Sequence, residues 1–284
     1  LPLERWNLFS RVELDMNDHF RPYIQAVFTN YNASSELAAT PAGGFTVPVT
    51  NPYIHPQLAS MLASRNGGVC GTPTTGACAP FAFSKRFSQV GGRASSNTHD
   101  VWQIVLGTQG DLTDSWSYDV YASYGRSLLT EIQNGNIRVP QFQSVLNDPN
   151  GTSSTTDDNT GQCAAWNPFG INSAMPAACQ AYLTLEAKNV TLVEQRIVEG
   201  TVTGDLFELP AGAVQIALGA NYREVEFDFR PDSGLQPGLV AGFNGQLPVS
   251  GTLDWFDIFG EIYVPILANL PGIESLSITG GYRA

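Results

Sequence analysis

Four cysteines and three histidines are the side chains in this 284-residue chain best suited to metal or redox chemistry. Their spacing argues against both. Cys70 lies near Cys78 and Cys163 near Cys179, each pair in a stretch rich in Gly, Pro, Ser and Thr. No Cys-x-x-Cys occurs, and His19, His55 and His99 are scattered, so no metal site is expected. The two pairs read instead as loop staples, Cys70–Cys78 and Cys163–Cys179, closed in an oxidising compartment. Asp157-Asp158-Asn159 has the acid density of a calcium loop but lacks its other ligands, and reads as a solvated loop. Gly-x-Ser-x-Gly, His-Glu-x-x-His and a phosphate loop are all missing, so neither an enzyme nor a cofactor is expected. Asn32, Asn150 and Asn189 fit the short glycosylation pattern, which arises often by chance.

What remains is recognition chemistry. Tyr53, Phe81, Phe83, Trp166 and Phe169 are aromatic residues in otherwise polar stretches. Such rings stack on a sugar or an aromatic ligand, or they pin loops to one another. Both readings stand at this level. Gln103, Asp119, Glu199, Asn221, Arg223 and Glu261 are polar residues inside alternating segments, which would place them on one inward face, lining a path or touching an internal partner.

The elements that must position these residues follow from composition. Charged residues make up 14%, below the roughly 25% of soluble domains, while aromatics reach 11%. The net charge of −12, with no basic cluster, argues against nucleic acid. No apolar run is long enough for a transmembrane helix, which leaves open a β-barrel, whose strands need only about 9–11 residues. No leader precedes Leu1-Pro2-Leu3-Glu4-Arg5-Trp6, which reads as strand; the chain is expected to be processed or an excerpt.

Period-two alternation dominates. It marks strands over 5–16, 20–31, 99–112, 116–127, 189–207, 213–229, 253–265 and 274–284, about eight in all. Gln57–Ala63, behind Pro56, reads as a short helix. Short turns alternate with long connections, above all 32–97 and 128–188. Outer-membrane barrels sort their loops this way, short on the periplasmic side and long outside. In 189–207 the apolar face holds near the short turn but carries Glu194 and Arg196 further out, as expected of a strand that leaves the bilayer. Trp6, Trp102, Trp116, Tyr118 and Tyr222 fit interfacial girdles. The last strand stops at Tyr282-Arg283-Ala284, so the chain reads as an arc of a larger barrel.

Several segments resemble the barrel region of TonB-dependent receptors. They include Glu4-Arg5-Trp6-Asn7-Leu8-Phe9, Tyr23-Ile24-Gln25-Ala26-Val27-Phe28-Thr29-Asn30-Tyr31 and Asn51-Pro52-Tyr53-Ile54. Others are Gly204-Asp205-Leu206-Phe207-Glu208-Leu209-Pro210-Ala211-Gly212, Phe256-Asp257-Ile258-Phe259-Gly260-Glu261-Ile262-Tyr263-Val264-Pro265 and Leu270-Pro271-Gly272-Ile273-Glu274-Ser275. The resemblance spans nearly the whole chain. It implies an all-β fold: an antiparallel transmembrane β-barrel segment, part of a 22-stranded barrel plugged by a globular domain. Residues 1–284 would then be a partial barrel without its plug. The implied function is import of a scarce nutrient (siderophore-bound iron, cobalamin or an oligosaccharide) across the bacterial outer membrane. The implied partners are outer-membrane lipid, the plug, the solute and, through a segment before the plug, the TonB–ExbB–ExbD complex. The chain departs from the pattern in lacking the plug, the TonB-contacting segment and an aromatic C-terminal residue. Two alternatives remain: a passive porin-like barrel, and a secreted β-rich glycan-binding or adhesion module.

Overall fold

β-branched and aromatic residues in alternation favour extended chain, and ladder pairing carries the strands beyond the alternating segments. The computed structural model describes residues 3–64, 80–148, 161–164, 166–170 and 173–284. Its main sheet is an antiparallel meander of β1 (Leu3–Glu13), β2 (Arg21–Leu37), β5 (Arg93–Thr113), β6 (Trp116–Arg138), β7 (Thr184–Leu209), β8 (Gly212–Arg230), β10 (Val249–Leu270) and β11 (Ile273–Arg283), in that order. β9 (Val240–Ala241) adds to the end of β6. β3 (Pro41–Val47) and β4 (Phe81–Arg86) form a separate hairpin-like sheet. Three α-helices lie in the described parts of the connections: α1 (Pro56–Ser64), α2 (Val139–Asn147) and α3 (Ala177–Leu183). None is long and apolar enough to cross a membrane.

The fold is therefore all-β and antiparallel. The sheet is open: β1 and β11 each pair on one side only, and the described residues form no closed barrel. Strand ends differ from the alternation. β2 reaches Leu37 rather than 31 and β6 reaches Arg138 rather than 127, so the long connections shrink to 38–92 and 139–183. Segments such as Asn32–Glu36 are polar on both faces and carry no alternation, yet their backbone groups pair with β5 without a break. Backbone bonding, not amphipathicity, sets where such strands end. β10 also runs through Pro265, where the register slips by a bulge because proline offers no N–H to the ladder.

The buried core does not lie against the sheet's apolar face. It sits among the connections, where Phe45, Phe87, Phe142, Val145, Leu146, Trp166 and Leu183 pack with Ile137 at the tip of β6. Phe142 of α2 is its centre, with the rings of Phe45 and Phe87 edge-on at 4.8 and 4.7 Å. The long connections thus fold into a cap with a core of its own. The 231–248 connection joins the cap at the sheet: Asp232 N–H donates to Asn189 Oδ1 at 3.0 Å, and Arg93 donates to Gly242 O at 2.6 Å.

Candidate functional site

Directly paired residues in a sheet point to the same side, so the register assigns every face. One row crosses the sheet as Val12, Ile24, Leu106, Ala122, Val198, Tyr222 and Phe256. Below it lie Val120, Ala220 and Ile258, then Tyr118, Val202, Leu218 and Tyr282, then Trp116, Ile216 and Ile262, all on the same side. This side is an apolar belt with nothing over it among the described residues: Leu106 is 55% exposed, Val198 53% and Phe256 64%.

The belt is slanted. Its upper edge steps down the register across the sheet: Phe28 and Trp102 share one row on β2 and β5, Tyr124 on β6 lies in the next row down, Tyr222 and Phe256 share the row below that on β8 and β10, and Tyr282 on β11 lies two rows further. Trp102 and Tyr124 meet edge-on at 5.2 Å. The short turns step down in the same sense, from the residues just after Glu13 in the first hairpin to those after Leu270 in the last. Strands tilted against a membrane plane produce such a stagger, about 35–45° in barrels. Above the aromatic line the same side turns ionic. Arg196 pairs with Glu224, Arg126 lies 3.8 Å from Glu194, and Tyr124 donates to Glu194 at 2.6 Å.

The opposite side is polar over the belt's height and more buried, although no second layer lies on it. Asn221 is 1% exposed, Ser123 7% and Tyr23 8%. The residues of this side crowd one another laterally. All six inward candidates share it. Gln103 donates to Ser123 at 2.8 Å, Asp119 accepts from Tyr23 at 2.9 Å, and Glu199 accepts from Asn221 at 2.7 Å. The Arg223 guanidinium stacks over Trp255, 5.5 Å from the ring centre. Glu261 lies nearer the short turns, beside an open recess of about 530 Å³ that Asp111, Asp205 and Tyr263 also line. Neighbouring strands therefore bond to one another across this face, and its acids hold no metal-like grouping among the described residues. Tyr23 and Trp255 were not singled out in the sequence, although the parity of β2 and β10 already places them inward. Tyr23 lies across Gly107, where an added Cβ would meet its ring at 2.4 Å.

The cap redistributes the aromatic candidates. Trp166 is 1% exposed and belongs to the core, so as placed it offers no face to a ligand. Phe81, Phe83 and Phe169 pack on that core, with Phe83 and Phe169 edge-on at 5.2 Å. In the structure these rings pack on one another, as an apolar ring in a polar connection finds other rings before it finds solvent. Tyr53 is half-buried and lines an open groove of about 480 Å³ with His55, Asn167 and Phe169. Asn51 shapes that turn, accepting from Tyr53 N–H at 3.0 Å and donating to Leu146 O at 2.9 Å. Cys163 and Cys179 form a disulfide buried in the cap. Cys70, Cys78 and Asp157-Asp158-Asn159 lie outside the described residues. Lys85 of β4 is the cap's half-buried cation. Its Nζ reaches Gly170 O at 3.4 Å and stands 6.0 Å from the ring centres of Phe87 and Trp166, and burial pushes its pKa below the usual lysine value.

No protein-family model matches the chain, and no curated protein matches it. Geometry and sequence alone carry its functional reading.

Proposed function

We propose that this chain is a wall segment of an outer-membrane β-barrel importer of the TonB-dependent kind, with its lipid side, pore side and outer cap in place. The carrying observation is the slanted apolar belt, edged by aromatic residues and followed by ion pairs, on a face that no layer covers. A soluble protein rarely exposes so large an apolar patch without a partner surface, and the height of the belt suits a hydrocarbon layer. The polar face would supply a pore lining, and the unpaired edges of β1 and β11 are where further barrel strands would add. The TonB-dependent assignment rests on the sequence resemblance. Its solute would be a siderophore, cobalamin or an oligosaccharide, and its energy would come from TonB–ExbB–ExbD.

The lipid assignment is tested with single-tryptophan variants in vesicles of brominated phosphatidylcholine, which quench rings that touch acyl chains. Trp102 should be quenched strongly and Trp255 weakly. Equal quenching of both, or none, sinks the membrane reading. Solute uptake that continues without the TonB complex favours a passive barrel instead.

A further inference from the structure

β8 and β10 are neighbours in the sheet, so a tight turn would suffice to join them. The chain between them instead crosses β7 to reach β6 and β5 before it returns. The register places Asn189 of β7 on the polar face, in the row of Glu131, and Asp232 N–H donates to its Oδ1 at 3.0 Å. A Cβ added at Gly234 would meet Leu185, four residues along the same strand face, at 2.6 Å. Residues 231–248 therefore lie as a strap across the upper end of the polar face. Few apolar side chains hold the strap: Leu235 is fully buried, but Leu239 and Leu247 are 40% and 61% exposed. Polar bonds do most of the holding. β9 pairs with Ile137 and Arg138, Arg93 donates to Gly242 O at 2.6 Å, and Phe243 N–H donates to Asn136 Oδ1 at 3.2 Å. Segments with so few buried apolar contacts are the ones that open locally. The strap's seat also costs free energy that water would return on opening: Gln133 Oε1, Asn136 Nδ2 and Gln246 Oε1 are buried with no hydrogen-bond partner among the described residues.

We infer that residues 231–248 form a lid that opens locally and is held shut through Glu131, which fixes the Asn189 amide that carries Asp232. Glu131 Oε2 accepts from Asn189 Nδ2 at 3.0 Å, and its Oε1 accepts from Ser95 Oγ at 2.9 Å. With its NH₂ committed to a carboxylate, Asn189 must turn its oxygen toward the Asp232 N–H. Asp232 in turn shapes the start of the lid, its Oδ1 accepting from Gly234 N–H at 2.8 Å and its Oδ2 from Lys188 N–H at 3.2 Å. Glu131 is thus a positioning residue, acting on the lid only through Asn189. Burial works against its charge, but bonds from Asn189, Gln133 and Ser95 outweigh burial and hold its pKa below the ordinary carboxylate value. The other charged or titratable side chains around it are Arg93 and His99, on the same face of β5, and Asp232 in the lid. The shut state favours the ionised form, so the hold is complete above the ordinary carboxylate value and fades as pH falls through the lowered one. The inference rests on the proposed function only for what the lid stands over, the outer mouth of the pore.

Hydrogen–deuterium exchange of the folded protein tests the latch, read as the protection factor of a peptide over 231–239, with peptides from the belt part of β5 as the fold reference. Asn189→Asp sets two carboxylates against each other at pH 7 and removes the donor, so lid protection should fall about tenfold while β5 stays protected. At pH 5 one proton shared by the pair restores the donor, and protection should return, the reverse of the parent's acid sensitivity. Asn189→Asp combined with Glu131→Gln places the donor at position 131 and the acceptor at position 189, and should regain parental protection at pH 7. Parental protection in Asn189→Asp at pH 7 overturns the inference. So does a loss that acid or the double variant fails to reverse. If Asn189→Asp does not fold, the double variant decides: parental lid protection upholds the latch, and its absence overturns it. Exchange at the lid does not depend on which face meets lipid, and tryptophan quenching by brominated lipid reports that separately, so either reading can fail without the other.

Discussion

A lysine at Leu218 separates a lipid-facing belt from a water-facing one. Leu218 stands mid-belt on β8, between Val202 on β7 and Gly260 on β10, and is 49% exposed. If its surroundings are water, Leu218→Lys stays within about 0.5 kcal/mol, as surface changes do. If they are acyl chains, the cost near the bilayer midplane is about 2–4 kcal/mol, or roughly 30- to 1000-fold in the folding constant. Two controls bracket the effect. Ala217→Lys places the same charge on the opposite, polar face, in the row of Glu261, and should cost less than about 1 kcal/mol. Thr252→Lys lies on the belt's side of the sheet above the aromatic line, where about 0–1 kcal/mol is expected. Folding in phosphatidylcholine vesicles is followed against urea by tryptophan emission and gel mobility. If Leu218→Lys costs no more than Ala217→Lys in vesicles, the belt does not meet lipid and the membrane assignment falls.

Other outcomes follow from the cap and the polar face. Gly107→Ala drives a methyl into the Tyr23 ring and should destabilise by about 1–3 kcal/mol; in a Tyr23→Ala background most of that cost should vanish in a double-mutant cycle. Cys163→Ala with Cys179→Ala opens a loop whose ends are 16 residues apart. By loop-closure entropy that costs about 3 kcal/mol, and limited proteolysis should cut the cap before the strands. Lys85 has a folded pKa held down by burial, so the unfolded chain binds more protons between the two values. Cap stability should therefore rise as pH climbs from the folded value toward about 10.4 and then level off. Carbon NMR of labelled lysine reads this directly, because Lys188 is the only other lysine; a normal titration at Lys85 would contradict its burial.

Much of the wall was legible in the residues. Alternation assigned Trp6, Trp102, Trp116, Tyr118 and Tyr222 to one face and Gln103, Asp119, Glu199, Asn221, Arg223 and Glu261 to the other, and the ladder register agrees. Side-chain parity in a strand is local, so no partner need be known. The helix behind Pro56 was legible for the same reason, since proline sets its own first turn.

Tertiary structure alone decided the cap and the slant. Phe83 comes from one long connection and Phe142 and Trp166 from distant parts of the other, and nothing in their local spacing says that they meet. Burial of a ring depends on which distant rings arrive beside it. The diagonal of Trp102, Tyr124, Tyr222 and Phe256 likewise exists only once hydrogen bonds lock each strand against the next, because register is a property of pairs of strands and not of any one of them.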